Sequence, residues 1–369
     1  MTSPVSALPY VRAISPYQGG KSIDELAREF GLRPESIIKL ASNENPRGMP
    51  DSAKRAIVEA MAEVGRYPDS NGFALKAALS AQLDVPADWL TLGNGSNDIL
   101  ELAAAALLAP GRSALFAQYS FAVYALATQS RGARAIVVPA RDLGHDLAAM
   151  SSSIAADTAL IYIANPNNPT GTHLDAGAIA TFLATVPSKV VVVIDEAYNE
   201  YLPAAHRFDS VRWVREYPNL LISRTFSKAY GLAGLRVGYG IAQPELTDLL
   251  NRVRQPFNVS HVAQAAALAA LADRAFLAES YRLNERGMQQ LTTVFRELDL
   301  GFVPSYGNFV LVNVGDATRV YQELLKRGII VRPVANYGLP DWLRVTVGLP
   351  EENERFLQAL RDALKDSPQ

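Results

Sequence analysis

One alternation constrains the fold more than any other feature. Near-continuous apolar runs at residues 113–117, 135–138, 159–164, 190–194, 220–223 and 237–242 are separated by alanine-rich stretches of helical period at 96–108, 123–131, 175–186 and 244–253. A strand that is apolar at every position, not at every second one, needs cover on both faces. Helices between the strands supply it. The pattern therefore predicts an α/β large domain with a mainly parallel central sheet flanked by helices.

The pattern changes after about residue 258. Helices are expected at 260–271, capped by Ser260, and at 274–298. Strands follow at 309–314, 329–331 and 343–347. A helix over 317–327 stops at Gly328, and Pro350 opens a last helix to about residue 364. These elements read as a smaller α+β domain, to which segment 37–41 adds a strand. The expected division is an N-terminal arm (1–25), a small domain (26–49 and 259–369) and a large domain (50–258).

Composition then removes whole classes of function. Apolar residues make up 49% of the chain and charged residues 20%, enough for a sizeable core. A net charge of −2 gives no electrostatic case for binding nucleic acid or an anionic membrane. There is no cysteine, so disulfides, thiolate metal sites and cysteine nucleophiles are out. His145, His173, His206 and His261 never take a metal-ligand spacing, and no metal is expected. The first twenty residues lack the charged and apolar regions of a signal peptide. Apolar runs such as 102–108 fall well short of the ~20 residues that span a bilayer. The expectation is a soluble cytoplasmic protein.

Open α/β sheets place ligands beyond their strand ends, and there the chemistry gathers. NPNNPTG (165–171) follows one strand, a forced turn rich in amides that on its own is as much an ordinary polar loop as a site. Asp195 ends another, where a carboxylate is poorly solvated unless it meets a cation. GNGSND (93–98) turns into a helix whose first N–H groups, at Ser96 and Asn97, make an anion site. It has neither the dinucleotide nor the P-loop spacing, and most such turns only start a helix. SRTFSKAYGLAGLRVGYG (223–240) combines the hydroxyls of Thr225 and Ser227, the guanidinium of Arg236 and one lysine, Lys228. A lysine that loses its proton in a desolvated pocket attacks carbonyls and forms a Schiff base. Each feature alone has a bland structural reading. Together they offer a partner to the aldehyde, ring nitrogen, ring hydroxyl and phosphate of pyridoxal phosphate.

At these residues the chain resembles the fold-type I, class II pyridoxal-phosphate aminotransferases, and among them the histidinol-phosphate aminotransferases. The likeness runs from PYQGGKSIDEL to LRVTVGLPEENERFL. It implies that Lys228 holds the cofactor aldehyde and moves the substrate proton, that Asp195 pairs with the ring nitrogen, and that Tyr198 and Asn168 bind the ring oxygen. Ser96, Asn97, Thr225, Ser227 and Arg236 would hold the phosphate. In AQYSFAVY the resemblance favours Phe121 as the ring stacked on the cofactor, three residues before Tyr124, with Tyr119 as the alternative. Tyr67, in RYPDSNGF, resembles a tyrosine that reaches the phosphate of the neighbouring subunit, which implies a homodimer with shared active sites. Arg344 and Arg332 resemble the clamp for the substrate's phosphate or carboxylate, with Tyr17 closing over it and Asn43 and Asn168 beside it.

The activity so implied is amino transfer between L-histidinol phosphate and 2-oxoglutarate, in histidine biosynthesis. An aromatic amino acid aminotransferase would share every cofactor residue. A decarboxylase of the same fold would keep Lys228 and Arg344. A non-catalytic sensor would be expected to lose Lys228 or Asp195, and both are present.

Overall fold

The computed structural model describes residues 6–17 and 19–365; the first five residues of the expected arm and Gln18 lie outside the described residues. Strand β1 (Ile38–Lys39) belongs to the smaller lobe. Seven strands then build the central sheet: β2 (Leu90–Gly93), β3 (Ser113–Ala117), β4 (Arg134–Val138), β5 (Thr158–Ala164), β6 (Val191–Asp195), β7 (Leu220–Thr225) and β8 (Gly238–Ile241). Their spatial order is β2-β8-β7-β6-β5-β3-β4. All neighbours are parallel except β8, which runs antiparallel to both β7 and β2.

The side-chain period explains the cover on both faces. In β6, Val192 and Ile194 enter one apolar core while Val191 and Val193 enter the other. In β5, Ile161 and Ile163 go to the first core, and Leu160 and Tyr162 to the second. Alternate residues point to opposite faces, so a strand apolar throughout must be sandwiched. Strand β2 has no counterpart among the sequence expectations. It has four residues, and its pairing with β8 is set by long-range contact.

The sheet order puts every loop of interest at one end. The chain moves outward from β3 to β4, then returns to β5 on the other side of β3 and continues through β6 and β7. The reversal between β3 and β5 is the crevice where such sheets bind ligands. Residues after β2, β3, β5, β6 and β7, and those before the antiparallel β8, all lie at that edge.

The smaller lobe holds β9 (Phe302–Val303), β10 (Phe309–Asn313), β11 (Ile329–Ile330), β12 (Arg332–Pro333) and β13 (Trp342–Thr346). Four of these form an antiparallel sheet in the order β12-β13-β10-β9, and β1 pairs in parallel with β11. Helices Arg274–Glu297, Ala317–Lys326 and Pro350–Lys365 close its core around Phe295, Val312, Val345 and Phe356. Ser260 caps the helix His261–Ala272 as expected, its side chain accepting from the Ala263 N–H. That helix, however, packs Ala263, Ala266 and Ala270 into the large-lobe core, not into the small one. Its alanine face lies on helix Asp51–Ala60. The short helix Pro9–Arg12 sets the Tyr10 ring over Gly132, where a Cβ would stand 2.8 Å from the ring. This docks the arm and carries Tyr17 to the crevice.

Candidate active site

A cavity of about 410 Å³ opens at the crevice between the lobes. Of the residues predicted for the site, all but Tyr67 line it.

Lys228 enters from the turn after β7. Its ammonium donates to the Ser42 carbonyl at 3.0 Å and stands 5.8 Å from the centre of the Tyr198 ring. Burial lowers its pKa to about 8, with Arg344 adding to the effect and Glu44 opposing it. Much of the barrier to making a neutral amine near pH 7 is thereby removed.

Asp195 closes β6 and is buried. Its Oδ2 accepts from the Tyr124 hydroxyl at 2.9 Å, while Oδ1 is buried with no hydrogen-bond partner among the described residues. Burial pushes its pKa up to about 6, although the Tyr124 hydrogen bond holds it down. A buried carboxylate oxygen without a donor is costly. A ring N–H carrying positive charge is the group that would satisfy it. Tyr124 projects from helix Ala122–Ser130, three residues after Phe121. Phe121 lines the cavity and meets Tyr124 edge-on, with ring centres 6.0 Å apart. Tyr119 turns elsewhere: it packs against Val303, Leu311, Val334 and Leu339 and does not line this cavity. Of the two rings, then, Phe121 is the one placed to meet a ligand in this cavity.

Tyr198 follows Asp195 by three residues. Its oxygen accepts from Asn43 Nδ2 at 2.9 Å, which leaves its own O–H free to donate to a ring oxygen. Asn43 has φ 55° and is locked in place by Thr346. The Thr346 hydroxyl accepts from the Asn43 N–H at 3.0 Å and donates to its Oδ1 at 3.1 Å.

The far end of the cavity suits a phosphate. Helix Ser96–Leu107 starts with no side-chain cap, so its first N–H groups remain open. Thr225 Oγ1 accepts from the Ser227 N–H at 3.1 Å, and Ser227 Oγ accepts from Arg236 Nη1 at 3.3 Å, leaving both hydroxyl protons for an anion. Arg236 takes a left-handed φ of 57°, a strain that non-glycine residues accept where the surroundings demand it. Gly95 and Gly238 make the close approach possible. A Cβ on Gly95 would stand 2.4 Å from Arg236 Nη2, and one on Gly238 would stand 2.4 Å from the Ser96 nitrogen.

The two arginines of the small lobe face each other by register. Arg332 on β12 pairs with Arg344 on β13. Like charges directly across a sheet are unfavourable, and an anion bound between them would offset this. Arg344 is buried and donates to Asn168 Oδ1 at 2.6 Å and to the Ala41 carbonyl at 2.7 Å, while its Nε has no hydrogen-bond partner among the described residues. Burial lowers its pKa. Arg332 lies 5.9 Å from the centre of the Tyr17 ring, and Tyr337 also lines this end.

Tyr67 stands apart. It is 82% exposed and stacks on Phe257, with ring centres 4.5 Å apart and planes 19° apart. Sequence reasoning did not give roles to Tyr124, Ser42, Glu44 or Tyr337. Tyr124 carried a readable signal, because it follows Phe121, the N-cap of helix Ala122–Ser130, by three residues, about one turn. Ser42 acts through its carbonyl, which no side-chain pattern reports.

The orphaned Asp195 Oδ1, the uncapped helix start and the glycine-lined cradle fit a flat ring with a cationic N–H at one end and a phosphate at the other. Comparison with known proteins agrees. The family model for aminotransferase class I and II matches residues 35–360. The chain is 69% identical over 360 residues to histidinol-phosphate aminotransferase 1 of Cupriavidus pinatubonensis, covering 96% of each chain. It is 65% identical to histidinol-phosphate aminotransferase 2 of Ralstonia nicotianae, again over 96% of each. A crystal structure of histidinol-phosphate aminotransferase from Sinorhizobium meliloti, in complex with pyridoxal-5'-phosphate, superposes with a TM-score of 0.91 at 27% identity, covering 99% of both chains.

Proposed function

The chain belongs to the class I and II aminotransferases, within them to the histidinol-phosphate aminotransferases, and from that premise we propose that it moves an amino group between L-histidinol phosphate and 2-oxoglutarate, in histidine biosynthesis. Its cofactor is pyridoxal phosphate. The observation that carries the reading is the pairing of Arg332 with Arg344 over a cavity that also holds Lys228 and Asp195. One end takes an anionic substrate group, and the other holds the cofactor.

The bound cofactor supplies a carbonyl for the amino group and a ring that accepts the electron pair of the broken Cα–H bond. The chain supplies the rest. Asp195 keeps the ring nitrogen protonated, and Tyr124 keeps Asp195 ionised and oriented. Lys228, with its lowered pKa, takes the proton from the substrate carbon and returns it. Tyr198 and the Asn168 side-chain amide bind the ring oxygen. Phe121 covers one ring face, and Ser96, Asn97, Thr225, Ser227 and Arg236 anchor the phosphate. Arg344 is fixed by Asn168 and Ala41, so its fork is oriented before the substrate arrives. With Arg332, Tyr17 and Asn43 it receives the phosphate of one substrate and a carboxylate of the other.

The same reading takes the chain as a homodimer with shared sites. Tyr67 is exposed, and so are other apolar residues close to it along the chain: Val58 is 74% exposed, Met61 58% and Phe73 78%. Exposed large apolar side chains so concentrated in one stretch of the chain support burial against a second copy, with Tyr67 reaching the partner's cofactor phosphate. The proposed domains are the arm (1–25), the small domain (26–49 and 259–369) and the large domain (50–258), with helix His261–Ala272 packed on the large one. Among the described residues, no helix is long and apolar enough to cross a membrane. Substrates of this class are dissolved metabolites, which supports a cytoplasmic location. The test is product formation: purified protein given L-histidinol phosphate and 2-oxoglutarate should yield glutamate. Glutamate formed from phenylalanine but not from histidinol phosphate would overturn the assignment.

A further inference from the structure

The turn RQPFN at 254–258 lies outside the cavity, yet its last residue ties together several parts of the large lobe. Asn258 Oδ1 accepts from Arg254 Nη1 at 2.9 Å. Its Nδ2 donates to the Leu92 carbonyl on β2 at 3.0 Å and to Asp98 Oδ2 at 2.8 Å. Its own carbonyl accepts from Asn94 Nδ2 at 3.0 Å. Asp98 Oδ2 also accepts the backbone N–H of Asn94 at 2.8 Å. The Asn94–Gly95 turn is therefore held from both sides, directly by Asn258 and through Asp98. This turn presents the first N–H groups of helix Ser96–Leu107, and the Asn94 carbonyl faces Arg236 Nη2 at 3.5 Å.

The other side of the same turn faces outward. Phe257 has φ 58°, an unusual conformation for a bulky residue that persists only where contacts over-determine it. Its ring stacks on Tyr67, and its N–H lies 3.4 Å from Ser70 Oγ. Arg254 Nη1 donates to the Ser70 carbonyl at 3.0 Å. The segment bearing Tyr67 and the turn bearing the anion cradle thus share one anchor.

We propose that Asn258 is a positioning residue that couples the exposed Tyr67–Phe257 face to the anion cradle at the start of helix Ser96–Leu107, so that subunit association and cofactor retention are linked. The inference rests on the homodimer with shared sites. Linkage makes it reciprocal: cofactor must tighten the dimer by the factor by which dimer formation tightens the cofactor. Asn258→Asp separates this role from simple anchoring of Arg254. It keeps an acceptor for Arg254 but puts a carboxylate oxygen against Asp98 and the Leu92 carbonyl, where a donor stood.

The experiment uses the holoprotein and its Asn258→Ala and Asn258→Asp variants. Cofactor affinity is read from the visible absorbance of bound pyridoxal phosphate, and dimer dissociation from sedimentation with and without added pyridoxal phosphate. Affinity for cofactor should weaken about tenfold in Asn258→Ala, the loss expected for hydrogen bonds to a charged group, and further in Asn258→Asp. Pyridoxal phosphate should tighten the wild-type dimer, and this effect should shrink several-fold in both variants. Wild-type affinity in both variants, or a milder effect in Asn258→Asp than in Asn258→Ala, would overturn the proposal. If Asn258→Asp does not fold, Asn94→Ala cuts only the side-chain link to the Asn258 carbonyl and should lower affinity about threefold; unchanged affinity there counts against the proposal. A wild-type protein that stays monomeric with cofactor bound overturns the coupling and the shared-site reading together. A dimeric wild type whose cofactor linkage persists unchanged in Asn258→Ala overturns the coupling alone.

Discussion

Desolvation of Lys228 makes a quantitative prediction about the cofactor-free protein. With a pKa of about 8, about one molecule in ten carries a neutral amine at pH 7. A solvated lysine of pKa 10.5 would have about one in three thousand. The pocket therefore raises the reactive fraction by about 300-fold before any orientation is counted. The assay is a carbon NMR titration of apoprotein methylated with labelled formaldehyde. The Lys228 resonance is the one absent from Lys228→Arg, and its chemical shift is followed from pH 6 to 11. The midpoint should fall near 8, well below the midpoints of surface lysines. Arg344 stands second to burial among the causes, so Arg344→Gln should raise the midpoint. Stability follows the same sign. The folded state binds this proton more weakly than the unfolded chain, so apoprotein should gain stability as pH rises from about 8 towards 10.5. A wild-type midpoint at or above 10 would refute the argument, because the lysine would then be solvated and need another means of activation.

Other expectations follow from the same geometry. Asp195→Asn should retain cofactor but lose turnover by about 10²- to 10³-fold, read from steady-state kcat; unchanged kcat would mean that the ring nitrogen is held otherwise. Tyr124→Phe removes the hydrogen bond that holds the Asp195 pKa down, so the acid limb of that variant's rate profile should move to higher pH. A limb that stays fixed would mean that Tyr124 does not keep Asp195 ionised. Arg344→Lys loses the oriented fork and should raise KM for both substrates by about 10- to 100-fold, with a smaller effect on cofactor affinity. Mixing inactive Lys228→Ala chains with Tyr67→Ala chains should restore up to about a quarter of wild-type activity if sites are shared, since half the dimers would be mixed and each would own one intact site. No recovery on proven subunit exchange would exclude that role for Tyr67.

Much of this was legible in the sequence because local and global constraints coincide. Strands β5 and β6 are apolar at every position, since both faces are covered, and Asp195 stands out at the end of β6 because nothing apolar explains it. Lys228, Arg236 and the glycines between them mark a loop that must approach a ligand closely. The sequence was silent where geometry comes from pairing. Strand β2 is too short to announce itself. The opposition of Arg332 and Arg344 depends on the β12–β13 register. The Asn43 lock depends on Thr346, more than 300 residues away along the chain. Which of Tyr119 and Phe121 faces the cavity also depends on the backbone, because Tyr119 takes φ 55° and its ring turns into a separate apolar cluster.

The most direct test of the central claim is a half-reaction on the holoprotein. The visible band of the bound cofactor is followed after adding L-histidinol phosphate, L-glutamate or L-phenylalanine separately. Rapid loss of the band with histidinol phosphate and with glutamate, and slow loss with phenylalanine, is the predicted result. Loss with phenylalanine as fast as with histidinol phosphate would contradict the assignment, and would mean that the paired arginines do not select the phosphate substrate.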